Sequence, residues 1–219
     1  MQSSAKRIPQ EHLFIAGPAG RIETIVEHPA VFPADGVSEG ARGIALVCHP
    51  HPLFGGTLTN KVVTALARAF VELGYIALRP NFRGVGKSEG VHDHGEGETE
   101  DMLAVIGYAK DRFGELPIAL AGFSFGGHVQ TRVAQRVAPE RMVLVGTAAG
   151  DLGERKYATP AVPAGTIVIH GEYDETVPLA RVLDWARPQE LPVIVIPGAD
   201  HFFHRRLHVI RNIVKGTWH

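Results

Sequence analysis

The apolar residues of this chain gather in short uninterrupted runs, and between the runs they recur at helical spacing. GIALVCH (Gly43–His49), YIALRPN (Tyr75–Asn81), PIALAG (Pro117–Gly122), RMVLVGTA (Arg141–Ala148), GTIVIHG (Gly165–Gly171) and LPVIVIPG (Leu191–Gly198) each read as a strand buried on both faces. The intervening segments Asn60–Gly74, Thr99–Gly114, Gly126–Val137 and Leu179–Arg187 carry a helical period, as does a last one from about Phe203 to Lys215. Gly74 and Gly114 close the first two. Such alternation predicts βαβ units: an α/β fold of three layers, with a mainly parallel central sheet and helices on both faces. Upstream, His12–Pro29 reads as two strands around the turn Gly17-Pro18-Ala19-Gly20, an expected antiparallel edge. Pro33–Gly43 reads as a loop.

The 219 residues fit one domain, 1–219, and no linker or internal repeat divides them. A formal charge of −1 gives no electrostatic reason to expect nucleic acid or an anionic membrane. No apolar stretch approaches the roughly 18 residues of a membrane helix, and the first residues lack a signal-peptide core. A single cysteine, Cys48, excludes an internal disulfide. A cytoplasmic protein is the expectation, with its oligomeric state left open.

In open parallel sheets ligands bind beyond the carboxyl ends of the strands, so the residues just after each apolar run carry the chemistry. After PIALAG stands Gly122-Phe123-Ser124-Phe125-Gly126, a G-x-S-x-G pattern between a strand and a helix. The flanking glycines relieve crowding at a tight, strained turn, and the helix that follows aims free N–H groups at the serine. A serine hydroxyl needs a histidine base, and the base needs an orienting carboxylate. Among twelve histidines, His201 follows the last strand directly, whereas His128 lies within a helix and His170 inside a strand. Asp174 lies in the loop beyond the penultimate strand and is the expected acid, with Asp151 as runner-up. Asp200 is too close to His201 to fold back onto its ring, and Glu172 and Glu175 read as solvated loop charges. An acyl-transfer site also needs two backbone donors for an oxyanion. Phe125 should supply one. The loop PHPLFGGT (Pro50–Thr57) should supply the other, from Leu53, or alternatively from His51, since neither Pro50 nor Pro52 has an N–H.

With HPHPLFGG, GYIALRPNFRGVGKSEG, GFSFGG, HGEYDETVP and PGADHFF in order over about Ile44 to Phe203, the chain resembles the α/β-hydrolases. It is particularly similar to small bacterial serine hydrolases related to the dienelactone hydrolase branch. The resemblance implies Ser124 as nucleophile, Asp174 as acid and His201 as base. It implies oxyanion donors at Phe125 and, by matching Phe54-Gly55, at Leu53. Dienelactone hydrolases use a cysteine nucleophile, so their substrate does not carry over. The family's lid would fall at 150–165, which is too short for a cap domain, so an open site is expected. The activity implied is cofactor-free, metal-free hydrolysis of small esters of short acyl chains; a thioesterase, a small-amide hydrolase or a binding protein on the same fold are the alternatives.

Other signals are weaker. GVGKSEG (Gly84–Gly90) ends like a phosphate-binding P-loop, but Asn81 stands where that motif needs glycine. His92, His94, His49 and His51 lack metal-ligand spacing. Cys48 reads as a small apolar residue, Trp185 and Trp218 as helical packing residues. Phe202 and Phe203 either line the pocket or pack.

Overall fold

The computed structural model describes residues 9–29 and 40–218. The first eight residues and most of the loop read over Pro33–Gly43 lie outside them. Eight strands form one sheet in the order β1-β2-β4-β3-β5-β6-β9-β10. In chain order these are β1 (Gln10–Gly17), β2 (Gly20–Glu27), β3 (Gly43–Cys48), β4 (Tyr75–Pro80), β5 (Ile118–Phe123), β6 (Arg141–Val145), β9 (Ile167–Gly171) and β10 (Val193–Ile196). β1 and β2 are the antiparallel edge, and every other pairing from β4 to β10 is parallel. Two short strands, β7 (Gly150–Leu152) and β8 (Arg155–Tyr157), pair apart from the sheet.

Among the described residues five α-helices cover the sheet: α1 (Lys61–Glu72), α2 (Glu96–Phe113), α3 (Phe125–Val133), α4 (Leu179–Ala186) and α5 (Leu207–Thr217). The alternation of side chains along each strand divides them. Ile44, Leu46, Leu120 and Leu144 share one apolar core with Met102 and Val105 of α2, Val129 of α3 and Val182 of α4. Ala45, Val47, Ala121 and Val143 share the opposite core with Leu66 and Phe70 of α1 and Ile210 and Val214 of α5. Both faces are thus covered, which is why these strands are unbroken apolar runs rather than alternating ones. No helix among the described residues is long and apolar enough to cross a membrane.

Several boundaries differ from the sequence reading, each for a local reason. α2 begins at Glu96 rather than Thr99, because the buried Glu98 carboxylate folds back to accept the Gly95 and Asp93 amides and so starts the helix early. α3 stops at Val133, short of Val137. The last helix starts at Leu207, since Phe203 and Arg205 are left-handed (φ 53° and 60°) and cannot belong to it. Trp218 lies just past α5, where its Nε1–H donates to the Tyr75 hydroxyl at 3.0 Å and its ring meets Phe70 edge-on. Burial and the Glu140 carboxylate it donates to push the Tyr75 hydroxyl up to about 12. The 84–90 turn is tied to β2, with the Ser88 hydroxyl donating to Asn81 O and accepting from the Glu23 amide.

The antiparallel edge is bolted on by a buried ion pair. Arg79 of β4 donates to Glu27 of β2 at 3.0 Å, and its NH1 also reaches Leu58 O and the Thr64 hydroxyl. Both charged side chains are almost fully buried. Removing one partner leaves an uncompensated charge, so Arg79→Ala should cost about 3–5 kcal/mol in urea unfolding. Arg79→Met combined with Glu27→Met should recover most of that loss; a double variant no more stable than Arg79→Ala would refute the ion-pair account.

Candidate active site

The chain leaves β5 for α3 at Ser124, whose backbone sits at φ 55°, ψ −119°, a conformation that non-glycine residues seldom adopt. Glycines make the turn possible. A Cβ on Gly122 would overlap the backbone of Gly126, and one on Gly126 would stand 2.5 Å from the carbonyl oxygens of Cys48 and His49. The first turn of α3 therefore rests directly on the end of β3. The Ser124 amide donates to Val145 O of β6, and its carbonyl accepts from Gly127, His128 and Ala148.

β3 and β5 are neighbours, yet the chain runs outward from them in opposite directions, to β4 on one side and to β6, β9 and β10 on the other. Ser124 stands at that switch point, where open α/β sheets take their ligands.

His201 reaches Ser124 from the loop after β10, with its Nε2 3.1 Å from the serine Oγ. Its Nδ1 lies 2.7 Å from Oδ2 of Asp174, in the loop after β9. A carboxylate can only accept, so Nδ1 carries the proton and Nε2 is left to accept from the serine hydroxyl. The other Asp174 oxygen accepts from the Thr176 and Val177 amides at 3.0 and 2.7 Å. All three residues are buried. The two loops are sewn together by Tyr173 N–H donating to Ala199 O, and Gly171 packs against the same backbone. The rings of Phe123 and Phe202 flank His201. The phenylalanine pair divides: Phe203 is fully buried while Phe202 is half exposed.

The structure therefore brings Ser124, His201 and Asp174 together. It leaves Asp151 exposed on the β7–β8 hairpin, while Asp200 pairs with His204. Glu172 accepts from the Gly198 amide, and Glu175 stays exposed. The Phe125 amide, in the first turn of α3, has no intrahelical acceptor. The Leu53 amide is engaged, because it donates to Nδ1 of His51 at 3.2 Å, while the His51 amide has no acceptor among the described residues. Burial and the neighbouring His92 depress the His51 imidazole to about 4, so the ring is neutral and able to accept.

Sequence reasoning missed His170. Its Nε2–H donates to Val177 O at 2.9 Å and lies 3.4 Å from Asp174 Oδ2, so it braces the acid from behind. Burial holds this ring below its ordinary pKa. His49 bridges Pro50 O and the Phe82 amide, which fixes the loop after β3. His92 donates to buried Glu98 and packs on His51 and Phe125. Cys48 donates to Met102 Sδ in the core, and burial raises its thiol pKa well above the usual range. Among the described residues no group of three or more potential ligands could hold a metal.

A family profile described as serine aminopeptidase, S33, matches residues 42–167, a stretch that contains Ser124 and ends before Asp174. Uncharacterized protein RP471 of Rickettsia prowazekii is 32% identical over 202 residues, 87% of this chain and 81% of that protein. The crystal structure of XC6422 from Xanthomonas campestris, an α/β serine hydrolase without a lid, superposes with a TM-score of 0.85. It is 34% identical, over 98% of this chain and 96% of that one. An α/β serine hydrolase homologue from Coxiella burnetii gives 0.82 at 36% identity, over 95% and 97%.

Burial lowers His49 and His128 to about 4, against about 6.5 in an unfolded chain. A lowered histidine contributes stability that is fully present above the unfolded value and is lost as pH falls toward the folded one. Unfolding free energy should therefore drop between about pH 6.5 and 4, by on the order of 3 kcal/mol per histidine. His128→Gln should flatten that slope in urea titrations at several pH values; an unchanged slope would refute the assignment.

Proposed function

The chain belongs to the serine aminopeptidase S33 family within the α/β-hydrolase superfamily, and from that premise we propose that it is a carboxylesterase-like enzyme for small esters of short acyl chains. The observation that carries this reading is the continuous relay from the Ser124 hydroxyl through His201 to Asp174. Ser124 Oγ attacks the ester carbonyl while His201 Nε2 takes its proton. The same nitrogen then returns the proton to the departing alcohol, leaving the acyl group on Ser124. Water activated by His201 hydrolyses that acyl-enzyme and restores the serine. Asp174 holds the imidazole in the required tautomer and stabilises the imidazolium.

For the oxyanion, the Phe125 amide is one donor. Its partner is the His51 amide, which the engagement of Leu53 by the His51 ring supports over Leu53 itself. A thioester would follow the same steps, with a thiol as leaving group. With no lid over the serine, little apolar wall surrounds an extended acyl chain, which favours short ones.

The test is hydrolysis of p-nitrophenyl acetate and butyrate. Ser124→Ala should lower kcat by about a thousandfold or more, and Asp174→Asn by about a hundredfold or more. Asp151→Asn should match wild type. Equal rates for wild type and Ser124→Ala would overturn the proposal. A series of longer esters should show no preference for acyl chains above about ten carbons.

A further inference from the structure

A basic groove begins at Phe202, the residue after His201. One cavity of about 590 Å³ lies between the loop that carries His51 and the loop that carries His201, bordered by Gly55 and Thr57 on one side and by Phe202 and Arg205 on the other. A second, of about 370 Å³, continues it between α1 and α5, and the two share Thr59, Lys61 and Leu207. Their walls hold Lys61, Arg68, Arg205 and Arg211, with His204 and His208, and no aspartate or glutamate. This is not the composition of the whole, since the chain carries a formal charge of −1.

Three of the four lysine and arginine cations are uncommitted, while His204 pairs with Asp200. Lys61, Arg68 and Arg205 form no ion pair among the described residues, although many other surface cations of this chain do. Arg211 has Glu72 at 3.6 Å, which Lys215 approaches more closely. Like charges gathered without partners repel one another, so the arrangement costs stability unless an anion is there to be bound. Arg205 is further held in a left-handed backbone, one turn past His201. Thr57, Thr59, Asn60 and Thr64 line the same walls. The Thr57 and Thr59 hydroxyls bond each other at 2.9 Å, which leaves one of the two to donate to an anionic oxygen, and the Thr64 hydroxyl accepts from Arg79 and keeps its own proton to donate.

The position identifies which part of a substrate would lie there. His201 must deliver its proton to the leaving atom, so that atom sits within hydrogen-bond reach of Nε2. Phe202, whose ring packs on His201, stands at the groove's near end. A leaving group extending past His201 enters the groove, while the short acyl part stays on the serine.

Building on the esterase reading above, we propose that the groove binds the leaving-group side of the substrate, and that this alcohol or thiol carries phosphate groups. Phosphate is favoured over a single carboxylate because the cations continue along both cavities and exceed what one carboxylate would neutralise. The walls between them offer hydroxyl donors and arginine forks that match phosphate oxygens. The chemistry remains that of the relay: the acyl–oxygen or acyl–sulfur bond breaks, the proton passes from His201 to the leaving atom, and water supplies the hydroxyl of the acid product.

The experiment compares one acyl group on thiols of graded charge: butyryl-pantetheine (neutral), S-butyrylglutathione (carboxylates), and butyryl-4′-phosphopantetheine and butyryl-coenzyme A (phosphates). At low ionic strength kcat/KM should favour the phosphorylated pair over butyryl-pantetheine by about tenfold or more, with the glutathione thioester between them. The advantage should shrink toward parity in about 0.5 M NaCl. In the Lys61→Glu/Arg205→Glu variant the ratio of phosphorylated to neutral substrate should fall to about one. Arg187→Glu, which reverses a charge outside the groove, should keep the wild-type ratio.

Binding of coenzyme A alone to Ser124→Ala, measured by calorimetry, separates this proposal from the esterase reading. Binding that Lys61→Glu/Arg205→Glu abolishes, with no thioester hydrolysed, would support the groove and count against the esterase. Hydrolysis of all four thioesters at similar kcat/KM, with no binding of coenzyme A, would overturn the groove and leave the esterase standing. A glutathione thioester preferred over both phosphorylated ones would overturn phosphate as the ligand.

Discussion

How closely the first turn of α3 can approach β3 and β5 is the constraint on which the rest of the site depends. Gly122 and Gly126 have no Cβ to keep them apart, and Gly126 lies directly on the carbonyls that end β3. At that distance the chain can turn from strand to helix only by forcing Ser124 to φ 55°, a conformation that costs about 1–3 kcal/mol. The same turn gives Ser124 four backbone hydrogen bonds, one to β6, two within α3 and one from Ala148. Relaxing the serine would break them together, at about 0.5–1.5 kcal/mol each. The strain is therefore held by contacts it creates, and the hydroxyl is presented where those contacts place it.

Sheet order then places the partners. β9 and β10 are parallel neighbours, so the loops after them emerge side by side, and both lie on the same end of the sheet as the turn after β5. Each loop is pinned to the other twice, by backbone through Tyr173 and Ala199 and by the Glu172 carboxylate on the Gly198 amide. Asp174 is then oriented by two amides and braced by His170, so that it has one remaining direction in which to meet His201. Precision of this kind comes from parallel strands whose carboxyl ends lie side by side, Gly171 opposite Ile196, and it needs no lid to close over it.

What could be read in the sequence follows from burial. Strands covered on both faces leave continuous apolar runs, and all six such runs are strands of the central sheet. The candidate residues could then be placed by position, as those that immediately follow a strand. Features whose cause is not apolar periodicity stayed hidden. β7 and β8 are three residues each and largely exposed, so they carry no pattern. The early start of α2 depends on Glu98, which reads as one more polar loop residue until its carboxylate is seen buried under two amides and His92. A backbone donor has no side-chain signal, so the engagement of Leu53 by the His51 ring lay beyond reach. Lys61 and Arg205 share a groove although most of the chain separates them, and no local spacing reports that.

The histidines show how the fold selects one base among twelve. A carboxylate partner does not decide it, since His28 has Glu11, His92 has Glu98 and His204 has Asp200. Burial does not decide it either, since His49, His128 and His170 are at least as deep as His201. The second ring nitrogen decides. In His49 it accepts the Phe82 amide, and in His170 it has no hydrogen-bond partner among the described residues. In His92 the neighbours beyond Glu98 are the rings of His51, His94 and Phe125. Among the described residues, His201 alone has a carboxylate at one nitrogen and a serine hydroxyl at the other. Burial meanwhile keeps the imidazoles of His49, His51 and His128 from taking up protons at neutral pH, and it lowers His170 as well. The ring that touches Ser124 has Asp174 as its one carboxylate partner among the described residues.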